Sequence, residues 1–177
     1  MKNLALNGSL RARSSNGAVL LSALALTDAT STVADLAALP HFNPDLDGAD
    51  DAPPAPVAAL RRAVAEADAV LVVSPEYAHG VPGVLKNALD WLVSSAEFLD
   101  KPTAVLTASP SPTGAAYAHE QLRETLRMMS ADVLPDACRN LTAIGPKTDP
   151  ATGTVTDPAT LQELRTAMAA LRDAQSA

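Results

Sequence analysis

The chain has 177 residues, 47% hydrophobic and 19% charged, so it carries enough apolar material for a core and is not a disordered chain. Thirteen Lys and Arg against twenty Asp and Glu leave a net charge of −7, which argues against a nucleic-acid or anionic-membrane partner. One cysteine, Cys138, excludes an intrachain disulfide and a Cys-cluster metal site.

No internal repeat is present. The N-terminus does not read as a signal peptide, and no apolar run approaches the ~20 residues of a membrane span, so the expectation is a cytoplasmic protein. In chain order, Lys2–Leu6 reads as a strand that enters a Gly/Ser/Arg turn, and Asn16–Leu26 as an Ala/Leu-rich helix. Thr30–Asp35 is a weak strand, Ala55–Ala67 a helix, and Asp68–Ser74 the strongest strand, continuous in apolar residues as in a strand buried on both faces. Gly83–Ser94 places Val84, Leu85, Ala88, Leu89 and Leu92 on one helical stripe. Thr103–Ala108 is a fourth strand, Ala115–Met129 a helix, and a fifth strand falls within Asp132–Asn140. The last helix has Asp157 as its cap and Pro158 at its first position. This alternation predicts an α/β fold in one domain over residues 1–177. The expected architecture is a flavodoxin-like three-layer sandwich with a five-stranded parallel sheet in the order 2-1-3-4-5. Ligands of such sheets sit beyond the carboxyl ends of the strands.

The loop after the first strand runs Gly8-Ser9-Leu10-Arg11-Ala12-Arg13-Ser14-Ser15-Asn16. It lacks both the dinucleotide fingerprint G-x-G-x-x-G and the P-loop pattern. Its hydroxyls, an amide and two guanidinium groups at a helix N-terminus suit a terminal phosphate. The plainer alternative is an N-cap by Ser14 or Ser15 with solvated arginines. The acidic loop from Asp45 to Asp51 fits no EF-hand spacing and reads as a solvated, stiff loop, so no metal site is expected.

After the third strand, Ser74-Pro75-Glu76-Tyr77-Ala78-His79-Gly80-Val81-Pro82-Gly83 combines two prolines with two glycines that allow positive φ. A stiff loop presenting backbone groups suits the polar edge of a flat heterocycle, and Tyr77 is placed to pack against a ring. His79 invites an acid–base role but reads as a solvated or capping residue, and Glu76 as a residue that caps a turn or orients the loop. No catalytic side chain is assigned.

These loops resemble the NADPH-dependent FMN reductase family of flavodoxin-like proteins, which includes azoreductases and chromate or quinone reductases. The resemblance is carried by Gly8-Ser9-Leu10-Arg11…Ser14-Ser15-Asn16 and Pro75-Glu76-Tyr77…Pro82-Gly83-Val84-Leu85-Lys86-Asn87-Ala88-Leu89-Asp90-Trp91, with support from Leu39-Pro40…Phe42-Asn43-Pro44-Asp45. It implies that Ser9, Arg11, Ser14, Ser15 and Asn16 hold the FMN phosphate. It also implies that Pro75, Glu76, Tyr77, Ala78 and Gly80 line the isoalloxazine ring, that Ser109 closes the third side, and that Gly114 opens the next helix. This sequence departs from the family at Ala78, where many relatives carry Asn, at Arg13, and at Gly114-Ala115 in place of a Gly-Gly pair.

The activity implied is hydride transfer from NADPH or NADH to flavin N5. Electrons then pass to a small-molecule acceptor by a ping-pong cycle, and the cofactor carries the chemistry. The alternatives are a non-enzymatic flavodoxin-type electron carrier, or a reductase that supplies reduced FMN to a monooxygenase. The family is usually dimeric or tetrameric. Trp91 falls off the centre of its helical stripe and is the expected contact of a homodimer.

Overall fold

The computed structural model describes residues 1–48 and 52–175. Strands β1 (Lys2–Asn7), β2 (Thr30–Val33), β3 (Ala69–Ser74) and β4 (Pro102–Ala108) alternate with helices α1 (Ser15–Leu24), α2 (Ala55–Glu66), α3 (Gly83–Asp90) and α4 (Ala116–Met128). Two short strands, β5 (Asp132–Val133) and β6 (Arg139–Leu141), follow, then a hairpin of β7 (Thr148–Asp149) and β8 (Thr154–Val155), and finally α5 (Pro158–Ala174). The parallel sheet has the order β2-β1-β3-β4-β5, the order the sequence predicts, with β6 also paired to β4.

Side chains alternate across a strand, so β1, β3 and β4 each feed two cores. Leu4, Leu6, Val70, Val72 and Val105 face one side and pack with Leu60, Val64, Leu85, Leu89, Leu122 and Leu126 of α2, α3 and α4. Ala5, Leu71, Val73, Ala104 and Leu106 face the other and pack with Val19, Leu20, Leu164, Met168 and Leu171 of α1 and α5. All six residues of β3 are buried, as its unbroken apolar run requires. Asp157 caps α5, accepting from Thr160 N at 2.8 Å and from Thr160 Oγ1 at 2.7 Å. No helix among the described residues is long and apolar enough to cross a membrane.

Four features depart from the sequence expectation. The fifth strand is broken into β5 and β6 by a 3-10 turn over Pro135–Ala137, because proline has no N–H to give a ladder. The β7–β8 hairpin carries little apolar alternation and was not anticipated. It is anchored to α1 by Val155 N donating to Ser22 Oγ at 2.8 Å.

Helix α3 ends at Asp90, and Trp91 is fully buried at 0% exposure within its own chain. The indole Nε1 donates to the Pro40 carbonyl at 2.9 Å, and Phe42 meets the ring edge-on with centroids 5.0 Å apart. The segment after β2 therefore covers Trp91, which leaves it no surface for a partner.

The acidic loop is also less solvated than expected. Asp45 is exposed, but Asp47 is half-buried, its carboxylate held in an ion pair with Arg61 at 2.6 Å. Arg61 also donates to the Trp91 carbonyl, from Nε at 3.1 Å and Nη2 at 2.7 Å. Burial works to raise the Asp47 pKa, but hydrogen bonds from Arg61 and Ser94 outweigh it and hold the carboxyl below its ordinary range. Asp50 and Asp51 lie outside the described residues.

Candidate functional site

Strands β1, β3 and β4 are parallel neighbours, so the loops that follow them emerge at one end of the sheet. Gly8 N donates to the Val73 carbonyl at 2.8 Å. A Cβ on Gly8 would sit 2.9 Å from Ser74 Oγ and 3.4 Å from Pro75, so only glycine lets the first loop lie against the second. Asn16 crosses to the end of β4, donating from Nδ2 to the Ala108 carbonyl at 3.1 Å. Its Oδ1 is buried without a partner among the described residues.

In the first loop Ser14 is the N-cap of α1 and accepts from Gly17 N at 2.9 Å, which leaves its own O–H proton free. From Leu10 to Asn16 no backbone N–H has a partner among the described residues. The first turn of α1 contains no acidic residue. Ser9 and Asn16 are buried, Ser14 and Ser15 half-buried, and Arg11 exposed. Arg13 reaches away, donating to the Pro150 carbonyl at 3.3 Å beside the β7–β8 hairpin. This donor set, with free amides at the positive end of a helix, fits a phosphate group.

In the second loop Pro75 is buried and Tyr77, Ala78 and His79 are exposed. Tyr77 and Gly80 exchange both backbone hydrogen bonds, at 3.1 and 3.0 Å, and enclose Ala78 and His79 at φ 49° and 57°. Positive φ at both central residues is the geometry of a two-residue type I′ turn. The left-handed residues are therefore Ala78 and His79, not Gly80 and Gly83 as the sequence suggests. Helix α4 holds this turn: His79 stacks on Tyr117 with centroids 4.4 Å apart, and Gln121 Nε2 donates to the His79 carbonyl at 3.2 Å. Glu76 Oε2 accepts from Ala118 N at 3.0 Å and so caps α4. The amides of Glu76, Ala78 and His79 have no partner among the described residues.

The third loop is fastened to the outer edge of the sheet. Ser109 N donates to the Leu141 carbonyl at 3.2 Å, and Ser109 Oγ accepts from Ser111 N at 3.2 Å. Asn140 of β6 accepts from Ala115 N at 2.8 Å and donates to the Thr113 carbonyl at 3.1 Å. Thr107 donates to Asn140 Oδ1 at 3.2 Å and meets His119 Nδ1 at 3.0 Å. Burial, with a smaller contribution from the Arg123 charge, lowers the His119 pKa to about 4, so the ring is neutral at pH 7.

Thr107, His119 and Asn140 were missed from sequence. The available signals were a hydroxyl inside an otherwise apolar strand and a histidine next to the Ala118 position on the buried face of α4.

The sequence profile of the NADPH-dependent FMN reductase family matches residues 1–144, and the chain belongs to that family. It is accordingly an oxidoreductase that works with FMN and NAD(P)H. Among relatives, an NAD(P)H-dependent FMN reductase of Pseudomonas aeruginosa is 41% identical over 130 residues, covering 71% of this chain and 69% of that protein. A quinone reductase of Escherichia coli is 35% identical over 162 residues, covering 89% of this chain and 86% of that protein. The solved structure of FerB, a flavoenzyme NAD(P)H:(acceptor) oxidoreductase from Paracoccus denitrificans, matches with a TM-score of 0.83 at 28% identity, covering 99% of this chain and 97% of its own.

Proposed function

We propose that the chain binds FMN across the C-terminal edge of its sheet and passes electrons from NAD(P)H to a small-molecule acceptor of the quinone class. The observation that carries this reading is the run of unpartnered amides from Leu10 to Asn16, set in a loop of hydroxyls and arginine with no carboxylate in the first turn of α1. In this reading Ser9, Arg11, Ser14, Ser15 and Asn16 take the phosphate. Pro75, Glu76, Tyr77, Ala78 and Gly80 line the ring, and Ser109 closes the third side. The quinone class is supported by the name of the Escherichia coli relative, most of whose length this chain covers.

When bound, FMN supplies hydride-accepting and electron-donating chemistry, in two half-reactions that share one open face. The chain's part is to orient and to donate hydrogen bonds. The free amides of Glu76, Ala78 and His79 offer preorganised donors beside the ring position, held by a turn that α4 keeps rigid. No side-chain acid or base is required, and Glu76 is already engaged by Ala118 N.

The protein is further read as a cytoplasmic homodimer or homotetramer. Exposed Leu99 and Met128, on segments joined through Asp100 N and the Ser130 carbonyl at 2.8 Å, offer the apolar surface for it in place of Trp91. Light scattering at micromolar concentration tests the assembly. For the activity, FMN-loaded protein mixed anaerobically with NADPH should lose the visible absorbance of its flavin and regain it on addition of benzoquinone. Initial rates should give parallel double-reciprocal plots. A protein that keeps its flavin oxidised in the presence of NADPH is an electron carrier, and the proposal falls.

A further inference from the structure

The hydrogen bonds around Asn140 have only one consistent direction. Asn140 sits between an obligatory donor, Ala115 N at 2.8 Å, and an obligatory acceptor, the Thr113 carbonyl at 3.1 Å. Exchanging its amide oxygen and nitrogen would set donor against donor and acceptor against acceptor, so the assignment is fixed by the backbone. Asn140 Oδ1 is then an acceptor toward Thr107, and the single hydroxyl proton of Thr107 goes to it. Thr107 Oγ1 therefore turns a lone pair to His119, and His119 must carry its proton on Nδ1. The chain runs one way, from His119 Nδ1–H to Thr107 and from Thr107 O–H to Asn140.

Its far end is the turn that enters α4. Gly114 has φ 69°, and a Cβ there would lie 2.4 Å from Asn140 Oδ1, so the amide occupies the space a side chain would need. Asn140 thus grips the chain on both sides of Gly114. The backbone of Ser109, Ser111, Leu141, Ala143 and Ile144 zips the rest of the turn to the same segment. Thr107 is fully buried and His119 is 9% exposed, so neither reaches a ligand.

We infer that Thr107, Asn140 and His119 form a positioning unit that sets the third wall of the flavin site, the turn from Ser109 to Gly114. This rests on the reading of that site as the place where FMN binds. Thr107 is the element that can be removed with least disturbance, because valine has its shape and lacks its hydroxyl. Without that hydroxyl, His119 Nδ1–H is a buried donor with nothing to meet, and Asn140 Oδ1 loses one of its two donors. The turn loosens near the ring and leaves the phosphate loop untouched.

The test is titration of the flavin-free protein with FMN and with riboflavin, followed by flavin fluorescence. Thr107→Val should weaken both ligands by about tenfold, the size of one lost hydrogen bond, and Thr107→Ser, which keeps the hydroxyl, should stay within about twofold. Asn140→Ala, on the edge of the sheet, should repeat the Thr107→Val result and serves if the buried variant does not fold. Arg11→Ala in the same series should weaken FMN alone. If Thr107→Val lowers the melting temperature but leaves both affinities unchanged, the unit is only a support of the fold and the inference is overturned. Equal losses in Thr107→Val and Thr107→Ser would assign the effect to packing and overturn it as well. If the wild type binds no FMN, or Arg11→Ala leaves FMN affinity intact, the reading of the site itself is what fails.

Discussion

Ahead of α1 the backbone amides from Leu10 to Asn16 have no partners among the described residues, whereas at the head of α4 Asn140 takes the N–H of Ala115 and Glu76 takes that of Ala118. Both helices start just beyond the carboxyl end of a sheet strand, and both place the positive end of a helix dipole there. The two first turns are alike, with Ser15 and Asn16 in one and Ala116 and Tyr117 in the other lacking amide partners among the described residues; the difference lies in the loops before them, open before α1 and fastened before α4 through the amides of Ser109, Ser111, Thr113, Gly114 and Ala115. Free amides in a loop at a helix N-terminus favour an incoming anion, while a loop whose amides are taken holds the chain still. On the proposed reading the first loop serves binding and the wall before α4 serves shape.

The largest test of the fastened loop is Gly114→Ala. Alanine would adopt φ 69° against its preference and meet Asn140 Oδ1 at 2.4 Å. The expected loss is about 2–4 kcal/mol of stability, read from urea unfolding, with the open loop and its phosphate preference unchanged. A loss confined to ligand binding, at full stability, would show that the turn before α4 is not held in the way described.

The same wall should respond to acid through His119. Its pKa is 6.5 unfolded and about 4 folded, so between these values the unfolded chain binds more protons and stability is lost as pH falls from 6.5 toward 4. The contribution is about 3 kcal/mol, complete above pH 6.5 and gone near pH 4. Urea midpoints at pH 7 and pH 4.5 should therefore differ less in His119→Gln than in the wild type. An equal difference in the two proteins would mean that carboxylates alone set the acid limit.

For the open loop, if Arg11 pairs with the FMN phosphate as proposed, Arg11→Ala should cost about 1.5–3 kcal/mol, roughly ten- to a hundredfold in FMN affinity. Riboflavin should bind mutant and wild type alike. The smallest effect belongs to the turn between the two walls. Ala78 sits at φ 49°, and Ala78→Gly should raise stability by about 0.5–1 kcal/mol while FMN affinity stays within about twofold. No gain in melting temperature would show that contacts of the turn with α4 already offset the backbone cost.

The strand order, the two cores and the three loops at one sheet end were legible because apolar periodicity and short β-α alternation report backbone geometry directly. Glu76 reads from sequence as capping a turn or orienting its own loop; it caps the distant helix α4 instead, accepting from Ala118 N. Trp91 was misread because a helical projection treats the helix as facing a sheet on one side and water on the other. Here the loop after β2 supplies a second buried face through Pro40 and Phe42. The turn at Ala78 and His79 was misplaced for a related reason. Glycine marks where positive φ is free of cost, but Tyr77, Gly80, Tyr117 and Gln121 together impose it on other residues. Thr107, His119 and Asn140 come from three elements far apart in sequence, and nothing local in any of them announces a shared hydrogen bond.

The interruption of the outer strand at Pro135 bears on how this protein behaves in the company of its own copies. A long, flat strand at that margin would present a continuous row of unpaired N–H and C=O groups, a template on which another chain could align. Instead the margin consists of a two-residue strand, a 3-10 turn and a three-residue strand. The opposite margin, β2, is only four residues long. Neither side of the sheet is long enough to register a foreign strand. Resistance to fibrillar stacking is thus built into the borders of the fold, and electrostatic repulsion from the net charge of −7 adds to it rather than carrying it alone.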